Sequence, residues 1–520
     1  MNSANLLQTA VAAPLLASVV LFLAKSTPLV VRKSVALVGF ALPCLIALAL
    51  AGLFSEAKDA ATGYAFFSEC KWLGVESTGI WLKLGLNGIS LPLFVMAAIV
   101  GLAAGMRAIW TKDAKMPTLY YATLLFIQTG LLGLFASIDI FGFYIFHEFA
   151  LIPTFIAILI WGGYGKRTTA ITMAVYLTLG AMISLAGLIY FYVNTPAVAF
   201  DFISLKNVVL NSDAGMQTSI FALLLFGFGI LVSLFPFHTW APDTYSAAPT
   251  PVSMLHAGVL KKFGLYGLVQ LGAAFLPLGL ESWAKWILVL ALGNILVIGL
   301  ITMVQRDLKH MISYSSVMHM GPIFLGIAAF AFSGGDVTGL GAAVMMMFAH
   351  GLSVALLFHL TQSVADRTGT LDMQKMGGLA TRAPVLAAFF VAAMMASIGL
   401  PGFANFWGEL SIFVSLASLK PFWLISLVII SIVISAIYGL RAVARVFYGA
   451  EALPAEQAAT VKDITPAERI PALLLFAALV AVGFVPSLVT DELNPALTQS
   501  FAQTAPAAVE APVAPVADAQ

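Results

Sequence analysis

The hydrophobic residues of this chain come in blocks of about 20, divided by short polar breaks, and a helix of that length spans a bilayer. Taken in order as the first to fourteenth spans, the blocks fall at about 4–24, 33–54, 86–106, 117–136, 138–160, 168–193, 217–237, 250–277, 283–304, 311–332, 338–363, 383–419 (interrupted), 422–447 and 468–488. The pattern predicts an all-α polytopic membrane protein of about fourteen transmembrane helices. The connection 55–85 is the longest and most polar. No Lys or Arg precedes residue 25, so the first block is expected to be a membrane helix and not a cleaved leader. The Ala/Pro-rich stretch from Thr504 cannot bury a core, and a disordered tail is expected over 491–520.

Two blocks carry proline at depth: LVSLFPFHTWAPDT in the seventh span, with Pro236 and Pro242, and SIGLPGFANFWGEL in the twelfth, with Pro401 and Gly402. Proline removes a backbone donor and breaks a helix. In lipid such a break is tolerated only where the freed backbone faces protein or water. Two breaks five spans apart are the mark of a transporter-like repeat, spans 4–8 against 9–13, and an odd repeat length inverts one unit in the membrane. The expected organisation is therefore 1–84 with two helices and the polar loop, 85–280 with the third helix and first repeat, 281–450 with the second repeat, 451–490 with a last helix, and the tail.

Composition sharpens the class. The chain is 61% hydrophobic and 9% charged, with a net charge of +1, so neither a soluble fold nor a nucleic-acid partner is expected. With the N-terminus outside, inside connections hold 17 Lys and Arg against 6 outside, which satisfies the positive-inside rule. Cys44 and Cys70 form neither a metal spacing nor a disulfide framework. No phosphate loop, nucleophile elbow or metal motif is present.

The chemistry should lie in the few ionisable residues at membrane depth, where a charge is costly unless paired or hydrated. Glu148 is central to the fifth span, and Lys261 and Lys262 are central to the eighth, too far from its ends to snorkel. Neighbours on a helix point about 100° apart, so the two lysines must face different partners. His319 and His350 lie within the tenth and eleventh spans, and Glu409 follows the second break. His147, His238, His256, His310 and His359 also fall in or beside spans. Carboxylates, lysines and histidines in one hydrophobic frame suit a proton relay.

The stretch PFHTWAPDTYSAAPTPVSMLHAGVLKKFGLYG resembles the signature of antiporter-like subunits of respiratory complex I, as do DLKHMISYSSVMHMG, AHGLSVALLFHL and GLPGFANFWGEL. The block FHEFALIP is similar to the M type, the chain 4 type, in particular, and the resemblance covers residues 85–490. It implies a proton-translocating module of NADH:quinone oxidoreductase in a bacterial plasma membrane, among other membrane subunits including sister antiporter-like ones. It implies no cofactor in this chain, with NADH, FMN, iron–sulfur clusters and quinone in partner subunits. Carried onto this sequence, the family's path is Glu148, Lys262, His319, His350 and Glu409, with His238 and His256 beside it.

One departure stands out. The family places a lysine five residues before the proline of the PFH block, where this chain has Leu231. Either the basic partner of Glu148 has moved to Lys261 or His256, or the gate is lost and the module is a spacer. Smaller departures are Tyr245, His310 and His359. A cation/proton antiporter of the Mrp type, or a related membrane hydrogenase or formate-oxidising complex, would use the same helices.

Overall fold

The computed structural model describes residues 3–70, 81–110, 115–194, 200–209, 212–419 and 423–501. The expected tail beyond 501, and Lys71, Lys112 and Lys420 of the charge count, lie outside the described residues. Among the described residues, twelve helices are long and apolar enough to cross a membrane, so this is a multi-pass membrane protein. The remaining two predicted spans are the eighth and the twelfth, whose helices are divided. The eighth runs through Thr250–Leu255, a π-turn at His256–Leu260, Lys262–Gly267 and a second π-turn at Leu268–Ala273. The twelfth is Pro384–Ile398 followed by Ala404–Ala417.

Helices that are apolar all round sit at the centre, and those with a lipid-facing side sit outside. The third (Ser90–Trp110), fourth (Pro117–Ala136), tenth (Leu308–Phe332) and eleventh (Thr338–Thr368) spans are the most enclosed. The first, sixth and fourteenth are the least enclosed and leave a side to lipid or to other chains.

Both expected breaks are present, and they are built alike. The seventh span, Ala214–Val232, stops at Ser233, whose φ is +63°, and resumes at Trp240–Ala247. The first half of the twelfth stops at Gly399, φ +86°. At each break the next residue reaches back five positions: the Leu234 N–H bonds the Gly229 carbonyl (2.8 Å) and the Leu400 N–H bonds the Met395 carbonyl (3.1 Å). This is the Schellman closure that satisfies the last carbonyls of a helix. Asn294 of the ninth span, Pro277–Val304, stitches the first break. It accepts from the Phe235 N–H (2.8 Å) and donates to the carbonyls of Ser233 (3.1 Å) and Val317 (3.0 Å).

One expectation needs correction. The tail does not begin at 491: Ser487–Phe501 is a helix. Its Val489, Leu493, Ala496 and Leu497 recur at i, i+4, i+7 and i+8, a buried helical stripe that the surrounding Ala/Pro bias hides. Glu492 on this helix pairs with Lys58 at 3.4 Å. The polar connection 55–85 contains a hairpin, with Ala65–Cys70 antiparallel to Leu82–Leu86 and irregular between Ala65 and Ser68. From it Lys83 reaches Asp201 (3.0 Å) and Glu69 (3.5 Å).

Candidate functional site

The eighth span carries its two lysines just after the π-turn, and they diverge as the helical geometry requires. Lys262 Nζ donates to the Ala257 carbonyl at 2.5 Å and lies 2.9 Å from His350 Nδ1 on the eleventh span. Lys261 Nζ donates to the Ser316 carbonyl of the tenth span at 3.0 Å and sits 5.5 Å from the centre of the Tyr245 ring. Two glycines bring the eighth and eleventh spans this close. A Cβ on Gly351 would lie 2.8 Å from the Gly258 carbonyl and 2.1 Å from Met96 Sδ, so nothing larger fits beside His350.

From His350 the array continues sideways. The His319 and His350 rings are 5.5 Å apart. His319 ends the first half of the tenth span, where Nδ1 meets the Ser315 carbonyl (2.8 Å) and Nε2 meets the Ser397 carbonyl (3.1 Å). Ser397 lies in the last turn before the second break. Beyond that break Glu409 folds its carboxyl back onto Gly399, so close that a Cβ there would fall 1.9 Å from Oε2. Asn405, one turn before Glu409, donates to Ser353 Oγ (3.3 Å), whose hydroxyl donates to the His350 carbonyl (3.3 Å). Ser315 also meets the Tyr438 hydroxyl of the thirteenth span, Trp423–Phe447, at 2.6 Å. Lys261, Lys262, His319 and His350 are at most 1% exposed, and Glu409 is 6% exposed.

Glu148 stands apart. Its side chain is 28% exposed on the flank of the fifth span, Ile140–Trp161, and its nearest base is His147, with Nδ1 3.4 Å from Oε1. Neither Lys261 nor His256 comes within ion-pair distance of Glu148 among the described residues, so the expected relocation of its partner onto the eighth span is not what this geometry holds. Leu231 fills its own position as a buried apolar residue. His256 stacks on Trp240 (5.5 Å) and meets the Tyr245 ring edge-on (5.2 Å). His238 stacks on Phe235 at 5.6 Å in the first break.

Away from this array, His359 bonds the Glu468 carbonyl at 2.9 Å and His310 lies between Asp243 (3.3 Å) and Asp307 (3.5 Å). Burial pushes the Asp307 carboxyl up, but hydrogen bonds from His310 and its backbone outweigh this and hold it below the usual carboxylate range.

Sequence reasoning singled out ionisable groups and passed over neutral polar ones. Ser315, Ser397, Asn405 and Tyr438 connect the array and Asn294 bridges the first break; the signal for Asn294 and Ser397 was a lone amide or hydroxyl in an otherwise apolar stretch. Among the described residues several buried polar atoms beside the array have no hydrogen-bond partner: Tyr245 Oη, His256 Nδ1, Ser316 Oγ and Asn405 Oδ1. Such an atom costs about 1–3 kcal/mol when left bare, so these are positions that call for water.

Comparison with known proteins gives a consistent answer. Residues 137–435 match the family described as NADH:quinone oxidoreductase/Mrp antiporter, transmembrane. The chain is 31% identical to NAD(P)H-quinone oxidoreductase chain 4 of Gloeobacter violaceus over 486 residues, 92% of this chain and 90% of that one. A chain of respiratory complex I from Thermus thermophilus superposes with a TM-score of 0.84 at 26% identity, covering 96% of this chain and all of that one. A chain of the Mrp complex from Dietzia sp. DQ12-45-1b has the same fold, with a TM-score of 0.84 at 20% identity over 97% of this chain and 99% of that one.

Proposed function

The chain belongs to the NADH:quinone oxidoreductase/Mrp antiporter family of membrane proteins, and on that premise we propose that it is a proton-translocating subunit of a redox-driven NAD(P)H:quinone oxidoreductase. It works beside other membrane subunits, as its relatives' names and assemblies support. The redox groups are assigned to partner subunits. The membrane is a bacterial plasma membrane, in keeping with the bacterial source of its relatives, and the N-terminus is outside, an orientation that rests on the distribution of Lys and Arg.

The observation that carries the proposal is the contact chain Lys262–His350–His319, which ends on the carbonyl of Ser397 beside the break that cradles Glu409. Lys262 takes a proton and passes it to His350 across 2.9 Å. The two imidazoles hand it on through water, and Glu409 receives it beyond the break. Each ring nitrogen can donate or accept, so a histidine pair transmits a proton without leaving a net charge behind. A charge on one member raises the energy of a like charge on the next, because screening is weak inside the membrane. Redox work done elsewhere in the complex enters as a shift in these energies. Lys261 does not accept from Glu148 in this scheme. It holds a second positive charge against the Ser316 carbonyl and the Tyr245 ring, and so sets when Lys262 lets go of its proton. Glu148, on the flank with His147, is the point where a neighbouring subunit's charge is felt.

The test is redox-driven proton pumping by membranes carrying Lys262→Ala, beside Lys261→Ala, with electron transfer followed in parallel. Coupled pumping should fall at least about tenfold in Lys262→Ala, the scale of a lost proton-transfer group. Lys261→Ala should lower it less and shift its pH dependence. Unchanged pumping in both would make the module a spacer whose gate was lost with the base at Leu231. The second reading, an ion-gradient antiporter without redox partners, shares the fold of the Dietzia chain. Purification without any redox-active subunit would favour it.

A further inference from the structure

At one end of the bundle the ninth and thirteenth spans finish side by side, and three arginines meet there. Arg306, Arg441 and Arg445, with Gln305, Met373 and Gln374, line a cavity of about 250 Å³. Arg441 is fixed: its guanidinium donates to the Met303 carbonyl and, at 2.8 Å, to the Gln305 carbonyl. Arg445 lies one turn further on the same helix face. Among the described residues no carboxylate comes within 4 Å of any of the three. The acids nearest in sequence are engaged elsewhere: Asp307 with His310 (3.5 Å), and Asp372 with the Gln374 N–H (3.0 Å) and Lys375 (3.9 Å). Three like charges gathered without counter-charge repel one another unless an anion joins them.

What lies beneath the cavity says which anion. The two helices touch, since a Cβ on Gly299 would meet the Ile434 side chain at 3.0 Å. On the outward side of that seam, Val297, Leu300 and Val304 of the ninth span and Val433, Ile437 and Leu440 of the thirteenth are 43–71% exposed. Their spacings of three and four residues put each set in a row on one helix face, leading up to the arginines. A cationic cavity at a helix end above two apolar rows has the form of a phospholipid: phosphate above, acyl chains below. Basic pockets between membrane helices on the positive side of the bilayer recognise anionic headgroups. We propose that this is a binding site for an anionic phospholipid, with Arg306 and Arg445 taking the phosphate and Arg441 holding the ends of the two helices in place.

The experiment compares the intact complex purified in mild detergent as wild type, as Arg306→Gln/Arg445→Gln and as Arg306→Lys/Arg445→Lys. Arg441 is left alone because it bonds the backbone. Mass spectrometry counts the retained phospholipids, and thermal unfolding is followed while delipidated complex is titrated with phosphatidylglycerol, phosphatidylcholine or inorganic phosphate. The expected result is about one anionic phospholipid fewer per complex in the Gln variant and its retention in the Lys variant, as charge neutralisation requires. Phosphatidylglycerol should raise the Tm of the wild type and much less that of the Gln variant, and phosphatidylcholine should do neither. An unchanged lipid count in the Gln variant overturns the proposal. So does stabilisation by inorganic phosphate equal to that by the lipid, which would make this a free-anion site. Loss of a membrane subunit from the Gln variant with its lipid retained also overturns it, since the arginines would then be docking a partner's acidic segment.

Discussion

Lys262, His350, His319 and Glu409 come from four different spans, and each is held by a feature that a single substitution removes. Glu409 is the sharpest case. Its carboxyl occupies the space where any side chain on residue 399 would begin, and residue 399 has a φ of +86°, a conformation that only glycine adopts freely. Gly399→Ala should therefore do two things: strain the break, and push the carboxyl off the axis of the array. Coupled pumping should fall by roughly tenfold or more, as expected when a proton-transfer group is misplaced, while electron transfer falls only as far as it is coupled. Proton-to-electron ratios in membrane vesicles would show this, and an unaltered ratio would remove Glu409 from the path. The ionisable members of the array were legible in the sequence because charge at membrane depth is rare. Which of them touch was not legible. The sequence places Lys261 and Lys262 side by side, yet one meets the tenth span and the other the eleventh.

The elements that matter most are the interrupted ones. Both breaks were predictable from Pro236 and Pro401, but the device that makes the first one tolerable was not. Asn294 accepts one hydrogen bond and donates two across the gap. Asn294→Leu would leave the Phe235 N–H and the Ser233 and Val317 carbonyls short of partners, at about 1–3 kcal/mol for each group that stays buried and dry. The expected outcome is a lower unfolding temperature for the complex. A variant as stable as wild type would show that the break closes without this bridge. The hairpin at Ala65–Cys70 and the helix Ser487–Phe501 were missed for a common reason. Each is short, and each is stabilised by docking onto the spans and not by its own composition, so a window set for long apolar blocks passes over both.

Across the molecule, connections far apart in sequence are tied at the membrane surface. The hairpin's Lys83 holds Asp201, over a hundred residues away, at 3.0 Å. Burial pushes the Asp201 carboxyl up, but the Ser204 N–H and Lys83 outweigh it and hold it below the usual carboxylate range. Lys83 is raised in turn: burial pulls it down, and Asp201 and Glu69 more than restore it. A carboxylate of lowered pKa stabilises the fold fully above its unfolded value of about 4 and loses that contribution as pH falls through its folded value. Lys83→Met should therefore be less stable than wild type at pH 6–8, and the gap in Tm should close below about pH 4. A gap that stays constant down to pH 3 would mean that the lysine acts through packing alone. The sequence by itself determined the membrane class, the number of spans, the two breaks and the short roll of ionisable residues at membrane depth, because each follows from what lipid forbids: unpaired backbone and stray charge. Only the tertiary structure decided that the array runs from Lys262 through His350 and His319 to Glu409, that Glu148 stays on the flank with His147, and that three arginines share one cavity. Those are distances between helices, set in the array by where Gly258, Gly351 and Gly399 let backbones and side chains approach, and packing of that kind leaves no periodic trace along the chain.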